Sequence, residues 1–334
     1  MINLFYLLKP VIPRKTQLEL RKWLAHKKLQ KAINEWPILA SSTEPPIYWQ
    51  GWPDQKQFAV ILRHDVESQK GHDRSRELML VEKQLGFRSA FYFVPERYKV
   101  CKTLRTDMVN EGFEIGVHGL KHDGKLYRSP DIFKKRAQKI NHYLSEWNAV
   151  GFTSPASHHK LDWNYALEIL YDSSTFDTDP FEPQPTNLAT IFPKWIDHVE
   201  YPNEEHLSHS GYVELPYTLP QDFQSFVIMQ QKNIDLWKRK VDWIAEHGGM
   251  VNVVTHPDYM SFGNDEVGIE EYPIAYYEQF LTYIKEQYAD RYWHGLPRDL
   301  ATFFSSNVAV RSTFTASVPL CADSVSPTGV EVVA

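Results

Sequence analysis

Short apolar runs alternate with amphipathic stretches along most of the chain. The apolar runs predict strands at Phe58–Leu62, Ala90–Val94, Phe113–Val117, Val150–Thr153, Ser173–Phe176 and Met250–Thr255. The amphipathic stretches predict helices at Arg74–Leu85, Leu104–Glu111, Pro130–Trp147, Trp163–Leu170, Ile234–Glu246 and Ala275–Gln287. Strands that alternate with helices form a parallel sheet, either open or closed into a barrel. Functional sites in such folds gather at the carboxyl ends of the strands.

The N-terminal part of the chain predicts a basic helix over residues 16–34. Leu20, Trp23 and Leu24 are spaced i, i+3 and i+4 and predict its apolar face, whereas Leu18 and Leu29 fall off that face. The helix would pack on the domain with its basic side chains in solvent, or attach to an anionic membrane surface. The segment 41–56 is rich in Ser, Pro, Gly and Trp and predicts an irregular connector.

Changes in composition divide the rest of the chain. We assign residues 1–56 to the basic helix and connector, 57–304 to one α/β domain, and 305–334 to a poorly ordered tail of small, mostly uncharged residues. Within the domain, the Pro-rich segment 180–222 predicts an irregular insertion with one hairpin, of the kind that often forms a wall of a binding site.

The distribution of charge restricts the partners. The net charge is −6, from 36 basic and 42 acidic residues, which argues against a nucleic-acid partner. The segment 1–33 differs from this average, because its eight basic residues and one acid give it a net charge of +7. The rest of the chain therefore has a net charge of −13. Two cysteines with no metal or disulfide spacing favour a reducing compartment. No apolar run approaches the roughly 20 residues of a membrane span.

Lys9, Pro10 and Pro13 interrupt the apolar start of the chain, and no small-residue cleavage site follows, so we expect no signal peptide. The location that we predict is cytoplasmic, either free or peripheral at the inner face of the membrane through residues 1–33.

Potential metal ligands follow three of the predicted strands. They are His64, Asp65 and Glu67 after the first strand, His118, His122 and Asp123 after the third, and His256 and Asp258 after the last. Because the carboxyl ends of parallel strands open on the same face, we expect these side chains to converge.

The spacing and types of these residues suit a catalytic metal centre. His118 and His122 are at i and i+4, so one helical turn would place both imidazoles on one face. Two histidines and one carboxylate make a three-ligand site, whose open position takes water and a substrate oxygen. A divalent metal lowers the pKa of water from about 15.7 towards roughly 7 and polarises a carbonyl. This chemistry suits hydrolysis of an amide or an ester.

Four short motifs resemble those of the polysaccharide deacetylase superfamily (NodB homology, carbohydrate esterase 4-like). The motifs are RHDVE at 63–67, HGLKH at 118–122, GFTSPA at 151–156 and THPDY at 255–259. The resemblance extends from residue 58 to about 304. It implies an α/β fold with a distorted (β/α)7-type barrel. It also implies a divalent metal, zinc before Co, Ni or Mn, and a hydrolase of non-peptide C–N bonds that deacetylates an N-acetylated sugar or a cell-envelope glycan.

The resemblance also implies roles for individual residues. Asp65 would be the general base, and His256 would protonate the leaving amine. Glu67, His118 and His122 would bind the metal. Main-chain N–H groups near Pro155 and Ala156 would hold the developing oxyanion.

Two positions depart from the pattern of the superfamily. Val66 stands where a second acid usually follows the first, so Asp65 and Glu67 form an Asp-x-acid pair whose roles could be exchanged. Thr153 stands where an arginine usually steadies the base. The base therefore needs another partner. Arg63 is one candidate for it, and Asp177 and Asp179, after the next predicted strand, are candidates for the same network.

Two alternatives to a sugar deacetylase stay open. One is an allantoinase-like hydrolase of a small linear or cyclic amide, which the Asp-x-acid pair also fits. The other is a degenerate carbohydrate-binding protein without activity. In all but the allantoinase-like case we expect a carbohydrate partner, and Trp195, Tyr212 and Tyr217 are the predicted sugar-stacking side chains.

Overall fold

The computed structural model describes residues 13–47, 49–186, 188–197, 211–263 and 267–315. The helices are α1 (Arg14–Lys31), α2 (Gln69–Leu85), α3 (Lys102–Asn110), α4 (Pro130–Trp147), α5 (Asp235–Glu246), α6 (Ala275–Gln287) and α7 (Pro297–Thr315). The strands are β1 (Phe58–Val66), β2 (Ala90–Phe93), β3 (Glu114–His118), β4 (Gly151–Thr153), β5 (Tyr171–Asp172), β6 (Lys194–Asp197), β7 (Gly211–Glu214), β8 (Met250–Thr255), β9 (Met260–Ser261), β10 (Tyr272–Pro273) and β11 (Tyr292–His294).

Nine of the described strands form one curled sheet with β1 at its centre. The first half of β1 pairs with β11 and the second half with β2, while β8 runs along its other edge. The sheet continues in parallel through β3, β4, β5 and β7, and β6 adds to β7 in the antiparallel direction. The open side between β7 and β8 is bridged where the Thr218 N–H donates to the Asn252 carbonyl at 3.1 Å. The predicted α/β fold with a distorted barrel is therefore confirmed.

Alternate residues of β1 serve two different layers. Ala59 and Ile61 pack inside the barrel, where Leu300 and Ala301 of α7 also lie. Phe58, Val60 and Leu62 pack outwards with the helices that surround the sheet. Because side chains alternate along a strand, Arg63 and Asp65 continue the inner row towards the carboxyl end of the barrel.

Two predicted elements differ from the structure near β5. The helix expected at Trp163–Leu170 is only a 3-10 turn at Asn164–Ala166, because the Glu168 N–H donates to the side chain of Asn141 at 3.0 Å. The strand expected at Ser173–Phe176 lies two residues earlier.

The shift of this strand has a local cause. Beyond Asp172, the N–H groups of Ser174 and Thr175 donate to one oxygen of the buried Glu214, at 3.1 and 2.9 Å. These donors are therefore unavailable for regular strand pairing.

The segment 180–222 is an insertion only in part. The expected hairpin is present as β6 and β7, but β7 is a strand of the main sheet.

Helix α7 runs to Thr315 and so includes the first residues that we assigned to the tail, while 316–334 lie outside the described residues. The domain boundaries remain a prediction.

The face by which α1 packs is not the predicted one. Leu18 and Ala25 are 2% and 7% exposed, whereas Leu20, Trp23 and Leu24 are 38%, 53% and 45% exposed. The helix lies against the segment around Phe223, whose ring is 5.2 Å from the Arg21 guanidinium. In the part of the chain that the structure describes, no helix is long and apolar enough to cross a membrane.

The inner layer contains a buried acid whose titration should affect stability. Glu114 is 2% exposed and accepts hydrogen bonds from the Tyr171 hydroxyl (2.7 Å) and the Arg298 N–H (3.1 Å). Burial raises its pKa to about 7, against roughly 4.3 in an unfolded chain. Between these values the folded protein keeps a proton that the unfolded chain loses. Glu114 therefore lowers stability progressively as the pH rises through this window, by up to about 1.4 kcal/mol per pH unit.

We expect Glu114→Gln to remove this component of the pH dependence. Denaturant unfolding at pH 5, 6 and 7 should show the variant gaining stability relative to the unmodified protein at each step. The solvent-exposed Glu77→Gln is the matched control and should follow the unmodified protein. If the free energy of unfolding changed with pH equally in Glu114→Gln and in the unmodified protein, the raised pKa of Glu114 would be contradicted.

Candidate metal centre and active site

Glu67, His118 and His122 lie together at the carboxyl end of the barrel. One donor atom from each lies within 4.8 Å of the other two. Glu67 Oε1 is 2.8 Å from His122 Nε2, and the two imidazole centroids are 5.3 Å apart. Two imidazoles and one carboxylate are a donor set that divalent zinc takes in catalytic sites.

The loop after β3 brings the two histidines together without a helical turn. Gly119 and His122 both have left-handed backbone, with φ of +58° and +53°. A side chain at position 119 could not be accommodated, because its Cβ would lie 2.7 Å from the ring of Pro155. The prediction of a helical turn is therefore wrong, although the two rings do meet. The loop instead folds back onto the turn at Pro155.

The His118 ring carries its proton on Nδ1, which leaves the lone pair of Nε2 available. Its Nδ1 is 2.7 Å from the Thr153 hydroxyl, and that hydroxyl donates to Asp65 Oδ1 at 3.1 Å. Since the single hydroxyl proton points to Asp65, the His118 Nδ1–H must be the donor to Thr153. Burial lowers the pKa of His118 to about 4, so the ring is neutral and Nε2 keeps its lone pair. This Nε2 is buried and without a hydrogen bond among the described residues, as expected of a nitrogen that binds a metal.

Asp65 is held as a carboxylate by its own strand and by Thr153. Arg63 Nη1 donates to both of its oxygens, at 3.1 and 3.2 Å. Burial raises the pKa of Asp65, but the charge of Arg63 and the more distant charge of His256 outweigh that effect and lower it overall. Arg63 thus contacts the acid that lacks the usual arginine partner.

The other two candidates for that network have different partners. Asp177 is bound to Lys240, whose Nζ lies 2.5 Å from Oδ2. Asp179 accepts from the Tyr217 hydroxyl at 2.8 Å. Asp177 is thus engaged by a buried lysine and not by Asp65. Asp179 lines the cleft but is not a partner of Asp65.

Thr153 connects a candidate ligand to the candidate base, which leads to a prediction. Thr153→Val keeps the shape of the side chain and removes both hydrogen bonds, so the His118 tautomer is no longer fixed. We expect zinc affinity to fall about 10–100-fold, the usual effect of losing a hydrogen bond to a metal-ligating histidine. Competition with a chelator measures the affinity. Thr153→Ser keeps the hydroxyl and should bind like the unmodified protein; equal affinity in the valine variant would exclude this role.

His256 lies across the cleft and is held in its protonated form. Its Nδ1 is 2.7 Å from Asp222 Oδ1, and its main-chain N–H donates to Oδ2 at 2.8 Å. Burial lowers the pKa of His256, but the charge of Asp222 and the hydrogen bond to it raise it to about 10. At neutral pH the imidazolium can therefore donate a proton.

Asp222 was not among the sequence candidates. The signal for it was available, because it is the only acid between Glu214 and Asp235 and precedes the apolar stretch that begins at Phe223.

The remaining residues of the strand-end motifs support the backbone. Asp258 Oδ2 accepts the Glu67 main-chain N–H at 2.9 Å, and the Tyr259 hydroxyl donates to Glu67 Oε2 at 2.9 Å. His64 points outwards, where its nitrogens meet Thr255 and Glu82. Asp123 forms two 2.7 Å contacts with Arg136 outside the metal cluster. Tyr259 was also missed by the sequence analysis.

A cleft of about 550 Å³ opens above the cluster, within the range of small-molecule sites. Glu67, His122, His256 and Ala156 line its floor. Ala156 has left-handed backbone, with φ of +54°. Such a conformation is uncommon for a residue with a side chain and frequently marks a functional turn.

The aromatic side chains of the cleft are not those expected. Tyr212 and Tyr217 are 2% and 1% exposed and use their hydroxyls in buried hydrogen bonds. Trp195 lies on β6 and packs against the barrel interior. The prediction that these three stack on a sugar is wrong, since the cleft is lined instead by the rings of Phe181, Phe223 and Tyr259.

Solved structures with the same fold include three with a TM-score of 0.53. A protein of Mycobacterium smegmatis assigned as a polysaccharide deacetylase is 17% identical, over 84% of this chain and 97% of that one. A Pseudomonas aeruginosa PAO1 protein with the same assignment is 17% identical, over 75% and 92%. The chain has the polysaccharide deacetylase fold. The allantoinase PuuE shares this fold too, at 16% identity over 76% and 92%.

These likenesses extend over the barrel and establish the deacetylase fold at low sequence identity. Comparison of the sequence with protein-family models and with curated protein sequences finds no match. The chemistry must therefore be inferred from the side chains of this chain.

Proposed function

We propose that the chain is a metal-dependent hydrolase that removes an acetyl group from an N-acetylated sugar or glycan. One observation carries the proposal. The donor set of Glu67, His118 and His122 lies beside an ionised acid, Asp65, whose Oδ1 is 3.7 Å from His118 Nδ1. It shares its cleft with a protonated histidine, His256. The polysaccharide deacetylase fold supports it, because the set lies at the carboxyl end of the barrel strands.

The three donor side chains would hold one divalent ion, for which zinc is the best match to nitrogen and carboxylate ligands. When bound, the ion would polarise the acyl carbonyl and lower the pKa of an attacking water. Tyr259 and Asp258 orient Glu67 through its second oxygen and its main-chain N–H. Thr153 orients His118.

Proton transfer falls to the residues on either side of the donor set. Asp65 is ionised at neutral pH and accepts a proton from the attacking water, while Arg63 and Thr153 keep its carboxylate in place. His256 gives a proton to the nitrogen of the leaving amine, takes a proton from solvent after the product leaves, and is held in place throughout by Asp222. The Ala156 turn at the cleft floor supplies a main-chain N–H for the developing oxyanion.

Acetate release tests this proposal. The zinc-loaded protein is incubated with N-acetylglucosamine oligosaccharides and with phosphate-linked N-acetylglucosamine, and acetate is quantified enzymatically. We expect turnover on at least one of these sugars and a rate at least about 10²-fold lower with Asp65→Asn.

Allantoin is the comparison substrate, because an allantoinase shares the fold. Turnover of the ureide with no acetate from any sugar would replace the deacetylase by a small-amide hydrolase. Inactivity on every substrate, in a protein that binds no metal, would favour the carbohydrate-binding alternative.

A further inference from the structure

Helix α1 places a row of basic side chains along one wall of the cleft. Arg14, Arg21 and Lys28 all line it, together with Ala25 from the same face of the helix. Their spacing of seven residues corresponds to two helical turns, which brings them onto one side. Arg97, in the loop after β2, lines the same cleft. The basic excess of the N-terminal segment thus faces the candidate active site.

Two of the helix cations already have partners. Arg14 is paired with both oxygens of Glu270. Lys28 donates to the Phe181 carbonyl at 3.2 Å. Neither is fully available for a ligand.

Arg21 and Arg97 differ from these two. No carboxylate in the described ranges forms an ion pair with either of them. Arg21 rests on the ring of Phe223, at 5.2 Å from the centroid, which leaves the edge of its guanidinium open to the cleft. An arginine that stacks on an aromatic ring keeps its donors for bidentate contacts to an anion.

A chain of contacts relates Arg21 to the metal cluster. The Phe223 ring lies 4.5 Å from that of Tyr259, and the Tyr259 hydroxyl donates to Glu67. Arg21 is therefore separated from a candidate ligand by two aromatic rings. A ligand long enough to span these two rings would extend from the cluster to this guanidinium.

The acids of the cleft do not cancel these charges. Glu67 is engaged by His122 and Tyr259. Burial raises the pKa of Glu182 and that of Asp179, which weakens their negative charge. Even with both ionised, the four lysine and arginine side chains that line the cleft outnumber its three acids. The cleft is thus cationic although the whole chain has a net charge of −6.

We propose that this cleft binds a phosphate-bearing N-acetylated sugar, with the phosphate on Arg21 and with Arg97 as a second cation. The proposal rests on the proposed function for the acetyl end of the ligand. Phosphate suits the site better than a carboxylate because a phosphate monoester or a diphosphate offers more charge and more acceptor oxygens to two guanidinium groups that have no carboxylate partner among the described residues. The phosphate could belong to a simple sugar phosphate or to a diphosphate link in a nucleotide sugar.

Calorimetric binding tests the proposal on the full zinc-loaded chain. The probes are N-acetylglucosamine, N-acetylglucosamine 1-phosphate and the uridine diphosphate sugar. We expect the phosphate-bearing probes to bind at least tenfold more tightly than the neutral sugar. Tighter binding of the 1-phosphate identifies a site for a phosphate monoester, and tighter binding of the uridine diphosphate sugar identifies a site for a diphosphate. Arg21→Gln should weaken the phosphate-bearing probes about tenfold and leave the neutral sugar unchanged.

Lys27→Gln is the matched control, since it removes one charge from the same helix on the side where Lys27 stacks on the exposed Trp23. Both variants keep the zinc ligands, so direct binding of phosphate to the ion cancels in the comparison. Equal effects of Arg21→Gln and Lys27→Gln, or equal affinity for sugar and sugar phosphate, would overturn the proposal.

The two proposals fail in different ways. Binding of the phosphate-bearing probes through Arg21 with no acetate from any sugar would reject the deacetylase and keep the anion site. Acetate release from both neutral and phosphate-bearing sugars, with kcat/KM for the phosphate-bearing sugar unchanged in Arg21→Gln, would keep the deacetylase and reject the anion site.

Discussion

Replacing Asp65 by asparagine is expected to lower kcat for acetate release about 10²–10⁴-fold while zinc stays bound. Asparagine has the same shape and can still accept from Arg63 and Thr153, so the local structure should persist. Its amide cannot take a proton from water, so the general-base contribution is lost. The change should appear mainly in kcat, because Asp65 is not a member of the Glu67 donor set.

Steady-state acetate release and elemental analysis of the same samples make this test. The solvent-exposed Asp162→Asn is the matched control and should retain the rate and the metal. Glu67→Gln should give the opposite result to Asp65→Asn, with zinc lost. If Asp65→Asn released the metal and Glu67→Gln kept it, the roles of the two acids would be exchanged.

The double variant His118→Ala, His122→Ala should lose stoichiometric zinc. It removes two of the three donors and leaves one carboxylate, which cannot hold the ion alone. Zinc that binds only the folded state stabilises it by about 4 kcal/mol at a free concentration 1,000 times Kd. The unmodified protein should therefore show a higher Tm with zinc than with a chelator, and the double variant should show no such difference.

Elemental analysis after gel filtration, with thermal unfolding, makes both measurements. A double variant of the exposed His26 and His142 to alanine controls for the general loss of histidines and should keep its zinc. Retention of zinc by the His118, His122 variant would place the metal elsewhere. An unmodified protein that takes up no divalent metal would argue against the hydrolase itself.

Asp65, the proposed base, receives its positive charge from an unusual local source. Thr153 occupies the place of the expected arginine, and the guanidinium comes instead from Arg63, two residues before Asp65 on the same strand. Side chains at i and i+2 share one face of a strand, so the pair faces the barrel interior together. Thr153 in turn becomes a hydrogen-bond relay between Asp65 and His118. The threonine in place of the expected arginine is thus accommodated by the contact of Arg63 with Asp65 and by the hydrogen bonds of Thr153 itself.

The sequence alone was sufficient for a parallel sheet with surrounding helices and for the position of the candidate site, while the barrel was implied by the resemblance of the motifs. The alternation of apolar runs and amphipathic segments reflects local periodicity, which survives folding because each element buries one face. The meeting of Glu67, His118 and His122 followed from a rule of topology, since the ends of parallel strands share one edge. These inferences need only the order of elements along the chain.

The tertiary structure alone decided which partners each side chain meets. The buried face of α1 is set by its packing against the segment around Phe223, not by its own most apolar stripe. Asp222 reaches His256 from 34 residues away, and Thr153 reaches Asp65 across 88. Such contacts depend on how distant segments pack together, and no local pattern encodes them. The ends of the strands predicted where the candidate site lies. Long-range packing determined the protonation states of its side chains and the charge of the cleft.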